Sequence, residues 1–248
     1  MTPDAESRGR WIRWSSRNAE RFADRPWALL GWETIEGVEW DGQKVSLLVT
    51  DFRRKLRIER GHTLLDVGCG SGWLTAALMP EGGRATGIDF APDMVRVARR
   101  ASPGPTYAVG NARDLPIADC SFDRALISFL LINEPDERAV FKIAGEAIRA
   151  LRPGGICLVS QMPLRRQSAR YDEEKARYLA WWEKRSTLGA DRLGDERHPQ
   201  VLHDEDFGAR LGERAGCRVE TVPAFNHFWR DGEPIDCSWR VDYVIHRP

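Results

Sequence analysis

The chain has 248 residues, with 37 basic and 37 acidic side chains and a formal net charge of zero. That length fits one domain with appendages and a large core. The balanced, interspersed charge gives no basic stripe for nucleic acid. Five cysteines, an odd number without C-x-x-C pairs, point to reduced thiols and a cytoplasmic protein, not to a disulfide frame or a zinc site.

The polar start MTPDAESRGR lacks the apolar core of a secretory signal, and no apolar run reaches membrane-spanning length. Residues 4–24 are expected to be helical, with Trp11, Trp14 and Phe22 on one face. Pro26, Gly31, Gly37 and Gly42 then break a Trp-rich connector. A second helix, about Gln43 to Arg57, carries the stripe Val45, Leu48, Phe52 and Leu56. Most of these aromatics read as packing. Only the first helix, with Trp14, is also read as closing over a substrate.

The stretch Thr63 to Leu78, TLLDVGCGSGWLTAAL, organises the chain. Leu64, Leu65 and Val67 form a short apolar run suited to a strand buried on both faces of a parallel sheet. Gly68, Gly70 and Gly72 follow as a turn that lets a ligand approach the backbone. Trp73 to Met79 then reads as a helix. Strand, glycine turn and helix open a nucleotide-binding βαβ unit. The dinucleotide pattern G-x-G-x-x-G is not met, because Trp73 stands where its third glycine would. A second strand, about Ala85 to Ile88, ends in Asp89, about twenty positions on, where an acid can bind ribose hydroxyls. The plainer reading of Asp89 is a cap for the helix that begins at Pro92. Met94, Val97, Ala98 and Ala101 recur along that helix.

Thr106 to Val109 is the third strand, followed by the loop GNARDLP. Ser121-Phe122-Asp123 introduces a fourth strand, about Arg124 to Leu130. A helix with Val140, Ile143, Ala147, Ile148 and Leu151 stops at LRPGG, and Ile156 to Ser160 is strand five. The alternation predicts an open, mostly parallel sheet with its ligand past the carboxyl ends of the first and fourth strands.

These landmarks in order, D-x-G-x-G-x-G from Asp66 to Gly72, GNARDLPIADCSFD and LRPGG, resemble the class I S-adenosylmethionine (SAM)-dependent methyltransferases. The branch resembled includes the ubiquinone and menaquinone biosynthesis enzymes. The resemblance covers about Leu64 to Ser160. It implies an α/β, doubly wound, mostly parallel seven-stranded sheet of Rossmann-like type. It also implies SAM as methyl donor, S-adenosylhomocysteine (SAH) as product, and metal-independent in-line displacement. By the same resemblance, Gly68, Cys69 and Gly70 line the methionine end of SAM, and Asp66 orients its amino group. Asp89 holds the ribose, Phe90 and Met94 flank the adenine, Asn111 and Ala112 meet its edge, and Ser128 and Phe129 lie beside the cofactor.

Two positions depart from the family. Asn111 stands where many relatives carry an acid, though an amide carbonyl can still accept from the adenine amino group. Ile132 and Asn133 stand where quinone-branch relatives often have histidine. Asn133-Glu134-Pro135-Asp136 also lacks the [DN]-P-P-[YFW] pattern of base-modifying methyltransferases, which speaks against nucleic-acid substrates.

The chain is read as one domain: an N-terminal helical cap (1–58), the SAM-binding core (59–163), a lid insertion (164–200), and a C-terminal helix and strand pair (201–248). The helix expected from Arg170 to Leu188 puts Tyr171 and Tyr178 on one aromatic face over the substrate. Glu205 to Ala215 is a helix; Arg218 to Val222 and Trp239 to Ile245 are the last strands, one antiparallel. Between them His227, among Phe225, Phe228 and Trp229, is the first candidate general base, with Phe228 against the substrate and Glu134 the second candidate base. The expected partner is a small molecule, without nucleic acid or membrane, in a monomer or homodimer. Two other readings stay open: a non-catalytic SAM-binding or partner protein, and an NAD(P)-dependent oxidoreductase.

Overall fold

In the computed structural model the described residues are 9, 11–13, 15–16, 42–134, 136–165, 169, 173, 203–225, 229–230, 233–234 and 240–248. The lid helix apart from Glu173, the Trp-rich connector, Trp14, Tyr171, Tyr178, His227 and Phe228 lie outside them. Of the first expected helix, residues 9, 11–13, 15 and 16 are described, and they are helical.

Helix α1 (Gly42–Leu56) precedes β1 (Thr63–Val67), α2 (Trp73–Leu78), β2 (Arg84–Asp89), α3 (Pro92–Ala101) and β3 (Thr106–Val109). Then come β4 (Phe122–Ser128), a short 3-10 turn (Leu131–Asn133), α4 (Glu137–Ala150) and β5 (Leu151–Pro163). The chain closes with α5 (Phe207–Ala215), β6 (Arg218–Pro223), the two-residue strands β7 (Trp229–Arg230) and β8 (Glu233–Pro234), and β9 (Arg240–His246).

Seven strands form one sheet in the order β3-β2-β1-β4-β5-β9-β6. All pairs from β3 through β5 are parallel, and β9 runs antiparallel to both β5 and β6. This is the expected doubly wound sheet with one reversed strand near its end. Alternation along the strands explains why both faces are covered. Leu64, Leu126, Ile156 and Leu158 pack with Leu48, Phe52 and Leu56 of α1 and Leu78 of α2. Leu65, Val67, Ile127, Cys157 and Val159 face the other way, onto Val140, Ile143 and Ala147 of α4 and Phe207 of α5.

Two expected boundaries move. Strand β4 starts two residues earlier than expected and stops at Ser128, because Phe129 takes a left-handed backbone with φ 57°. LRPGG is not a turn before β5 but an irregular stretch within it: Leu151 pairs with Phe122, Ile156 with Arg124, and residues 152–155 are looped between. The helix before it ends at Ala150.

The S-F-D and L-R-P-G-G landmarks meet at the amino ends of the strands. Asp123 Oδ2 accepts from the N–H and the hydroxyl of Thr63, both at 2.7 Å, and Arg152 donates to Oδ1 at 2.9 Å. Burial works to raise the Asp123 pKa, but these donors outweigh it and hold it below the usual carboxylate range. These residues join β1, β4 and β5 at the far end from the ligand crevice, so their role is architectural. Among the described residues, no helix is long and apolar enough to cross a membrane.

Candidate active site

Strand β1 is flanked by β2 on one side and β4 on the other, so the connections leave in opposite directions from its carboxyl end. A crevice opens at such a switch point. The residues from Asp66 to Gly72 lie there. Gly68, Gly70 and Gly72 all take positive φ, at 80°, 52° and 75°. The N–H groups of Gly68 and Cys69 both donate to the Ile88 carbonyl, at 2.7 and 3.1 Å, which ties the turn to β2.

The turn rests on a buried tyrosine that sequence reasoning missed. The Tyr107 hydroxyl proton is shared between the carbonyls of Gly72 (3.0 Å) and Ser102 (2.8 Å). A Cβ on Gly72 would stand 2.6–2.7 Å from the Tyr107 ring and hydroxyl. Only glycine combines that approach with that backbone. Ser102 adds a second prop, donating to the Ser71 carbonyl at 3.0 Å. Tyr107 reads in the sequence as an ordinary strand aromatic, and its partner Gly72 is 35 positions away.

Two buried carboxyls face this turn. Asp89 Oδ2 accepts from the Gly70 N–H and Oδ1 from the Ala91 N–H, each at 2.9 Å. Asp89 therefore joins the glycine turn to Ala91, the residue before α3; it is not the helix cap weighed for it, because Ala91 is the N-cap and no side chain caps α3. Burial raises its pKa, against the N–H groups of Ala91, Gly70 and Phe90. Asp66 accepts from the Thr75 hydroxyl at 2.5 Å. Burial pushes its pKa up to about 7, with Thr75 opposing and the charge of Asp89 adding to the rise. The Cys69 thiol between them is pushed well above its usual range, by burial first and then by both aspartates. Among the described residues no cation pairs with either carboxyl.

The remaining candidates surround the crevice. Met94 is buried on α3 and Phe90 is half-buried. The Asn111 side-chain oxygen accepts from the Arg113 N–H at 3.1 Å, so the atom expected to meet the adenine amino group already closes an Asx turn. Ala112 is half-buried against the core. Ser128 accepts from the Ser160 hydroxyl at 3.0 Å, and the Asn133 amide donates to the Phe129 carbonyl at 2.8 Å. Glu134 forms an ion pair with Arg113 across the crevice edge, so the second candidate base is engaged as an ion-pair partner. Ser16, in the first helical segment, donates to Asp93 in the first turn of α3. His203 is fully buried beyond the end of β5, tilted on Phe207 at 4.2 Å, and burial lowers its pKa to about 4.

Comparison with known proteins agrees with this fold. Residues 65–159 match the methyltransferase-domain family. The demethylmenaquinone methyltransferase of Bacillus licheniformis is 36% identical over 116 residues, which cover 44% of this chain and 49% of that protein. The chain thus spans about half the length of the curated relatives it matches. Among solved structures, magnesium protoporphyrin IX methyltransferase from Synechocystis, with SAH bound, superposes with a TM-score of 0.58 at 15% identity, covering 94% of this chain and 99% of that one. A SAM-dependent methyltransferase from Thermotoga maritima gives a TM-score of 0.57 at 16% identity, covering 92% and 98%. Residues 65–159 thus match a methyltransferase-domain family, and the chain has the class I methyltransferase fold.

Proposed function

We propose that this chain is a SAM-dependent methyltransferase acting on a small molecule. The observation that carries the reading is the pair of buried carboxyls, Asp66 and Asp89, without a counter-cation among the described residues, on either side of a left-handed glycine turn. SAM brings an ammonium group and a sulfonium, the cations that such a pair lacks, and ribose hydroxyls as further donors. When bound, it supplies a methyl carbon activated for displacement by the adjacent sulfonium.

The protein's part is to bind, align and dry the site. Asp66 would orient the amino group, the backbone of Gly68, Cys69 and Gly70 would line the methionine end, and Asp89 would hold the ribose through lone pairs that its backbone bonds leave over. Phe90 and Met94 would flank the adenine. Asn111 and Ala112 would meet its edge, the former through its amide N–H₂ now that its oxygen closes a turn. Ser128 and Phe129 would lie alongside. The contact from Ser16 to Asp93 supports the first helix, with Trp14, as a wall of the substrate pocket; Tyr171, Tyr178 and Phe228 complete that wall in this reading. With Glu134 held by Arg113, His227 is the residue we assign to proton removal.

The test is transfer of a labelled methyl group from SAM to metabolite pools, followed by mass spectrometry, with demethylmenaquinone as the first defined probe because the curated relatives carry its name. One labelled methyl appearing on a small molecule, and lost in Asp89→Ala, supports the reading. NAD(P) binding without SAM binding would replace it with the oxidoreductase.

A further inference from the structure

Strand β4 ends beside Ser160 of β5, which runs on to Pro163. Ser128 and Ser160 are register partners, and their hydroxyls are hydrogen-bonded. The residue after each, Phe129 and Gln161, takes a left-handed backbone, with φ 57° and 67°. Such strain in residues with long side chains persists only where the surroundings over-determine it, and it gathers at binding and catalytic sites. At Gln161 it coincides with an irregularity of β5 between Val159 and Met162, a feature that re-aims a side chain.

Gln161 is fixed on three sides. Its N–H donates to Asp242 Oδ1 at 2.8 Å, its carbonyl accepts from Arg240 at 3.0 Å, and its side-chain Nε2 donates to the Phe225 carbonyl at 2.9 Å. Asp242 is itself held by Lys55 of α1 at 2.7 Å, so the N-terminal helix, β9 and the segment after β6 all bear on this residue. One atom is left over. Gln161 Oε1 is buried and has no hydrogen-bond partner among the described residues. The orientation of the amide is fixed, because the reverse would aim Oε1 at the Phe225 carbonyl oxygen. A buried acceptor without a donor is costly, and the structure around it is built to hold it in place. The missing partner is a donor, at the carboxyl end of the strand next to β4.

We propose that Gln161 is a substrate-recognition residue whose Oε1 accepts a hydrogen bond from an O–H or N–H group of the methyl-accepting small molecule. This rests on the methyltransferase reading and narrows its substrate class to compounds carrying such a donor. A site built around an acceptor rejects analogues without the donor far more strongly than an apolar pocket rejects a changed contour.

The test uses the full chain loaded with SAH and calorimetry against a fixed panel: a phenol, a catechol, an aromatic amine and 1,4-dihydroxynaphthalene, each beside its fully methyl-capped counterpart. Wild type is expected to bind at least one donor-bearing compound tenfold or more tighter than its capped partner. Gln161→Met, of similar length but without the amide, should bring the two within about twofold, and Gln161→Glu, which as a buried carboxylic acid keeps the acceptor and supplies an O–H to the Phe225 carbonyl, should retain the preference. SAH affinity should stay within about twofold of wild type in both variants, which also reports that they are folded. Equal binding of capped and uncapped compounds, no binding by any panel member, or a preference that survives in Gln161→Met would overturn the proposal. Absence of SAH binding to wild type would instead refute the methyltransferase reading, and this one with it.

Discussion

With Asp66 set against the cofactor's ammonium group, as proposed, cofactor binding is a proton-coupled event. Its carboxyl is 2% exposed, and burial pushes its pKa up to about 7 from the ordinary 3.8. In the free protein at pH 6, roughly one molecule in ten carries the carboxylate. An ammonium group beside Asp66 favours the charged form, so SAH binding must expel the proton wherever it is still present. Each pH unit below 7 should then weaken SAH about tenfold, or about 1.4 kcal/mol, with a plateau above pH 8. Calorimetry at pH 6 in two buffers of different ionisation enthalpy should show close to one proton released per SAH, falling towards zero at pH 8. Asp66→Asn should flatten the profile. A wild-type affinity that does not change between pH 5.5 and 8, with no proton release, would refute the reasoning. The same group shapes the stability of the free protein. Its folded pKa lies above the unfolded value, so its contribution is full below about pH 4 and is lost as pH rises through about 7. Thermal melts of the free protein should therefore show a downward component over that window that is missing in Asp66→Asn.

Gly72→Ala should lower stability by more than the roughly 1–2 kcal/mol of a left-handed non-glycine residue, because its Cβ also meets the Tyr107 ring at 2.6–2.7 Å. A urea midpoint within error of wild type would show that the turn is not propped by Tyr107. Lys55→Met should leave Asp242 buried without its 2.7 Å partner, with the Gln161 N–H its remaining bond, and destabilise by about 3–5 kcal/mol. A loss under about 1 kcal/mol would mean that the pair adds nothing over a neutral contact.

Local patterns made the sheet legible. Short apolar runs bounded by glycine and proline marked the strands, and the Pro92 start of α3 is where its missing N–H is harmless. The stripe of α1 was readable because Leu48, Phe52 and Leu56 share one helical face, and all three are fully buried. What sequence spacing could not show were the contacts between distant positions. Lys55 and Asp242 are 187 residues apart, and nothing near either marks a buried pair. Phe129 gives no local sign that it ends β4 in a left-handed turn; that becomes visible only with Ser160 and Gln161 beside it. LRPGG has the composition of a stop, yet Leu151 still pairs with Phe122 because the sheet beside it demands a partner. The candidate site could be picked out for the same reason as the fold: its acids and glycines lie at or beside strand ends in a fixed order. Their hydrogen-bond partners, the Thr75 hydroxyl for Asp66 and the Gly70 N–H for Asp89, required the structure.

The most direct measurement of the central claim is calorimetric titration of the purified chain with SAH, without added metal, for wild type and Asp89→Ala. The account predicts one site per chain in wild type. In Asp89→Ala it predicts an affinity lower by about 1.5–3 kcal/mol, the scale of hydrogen bonds to a charged group. Unchanged affinity in Asp89→Ala would contradict the ribose assignment, and no binding of SAH to wild type would contradict the account as a whole.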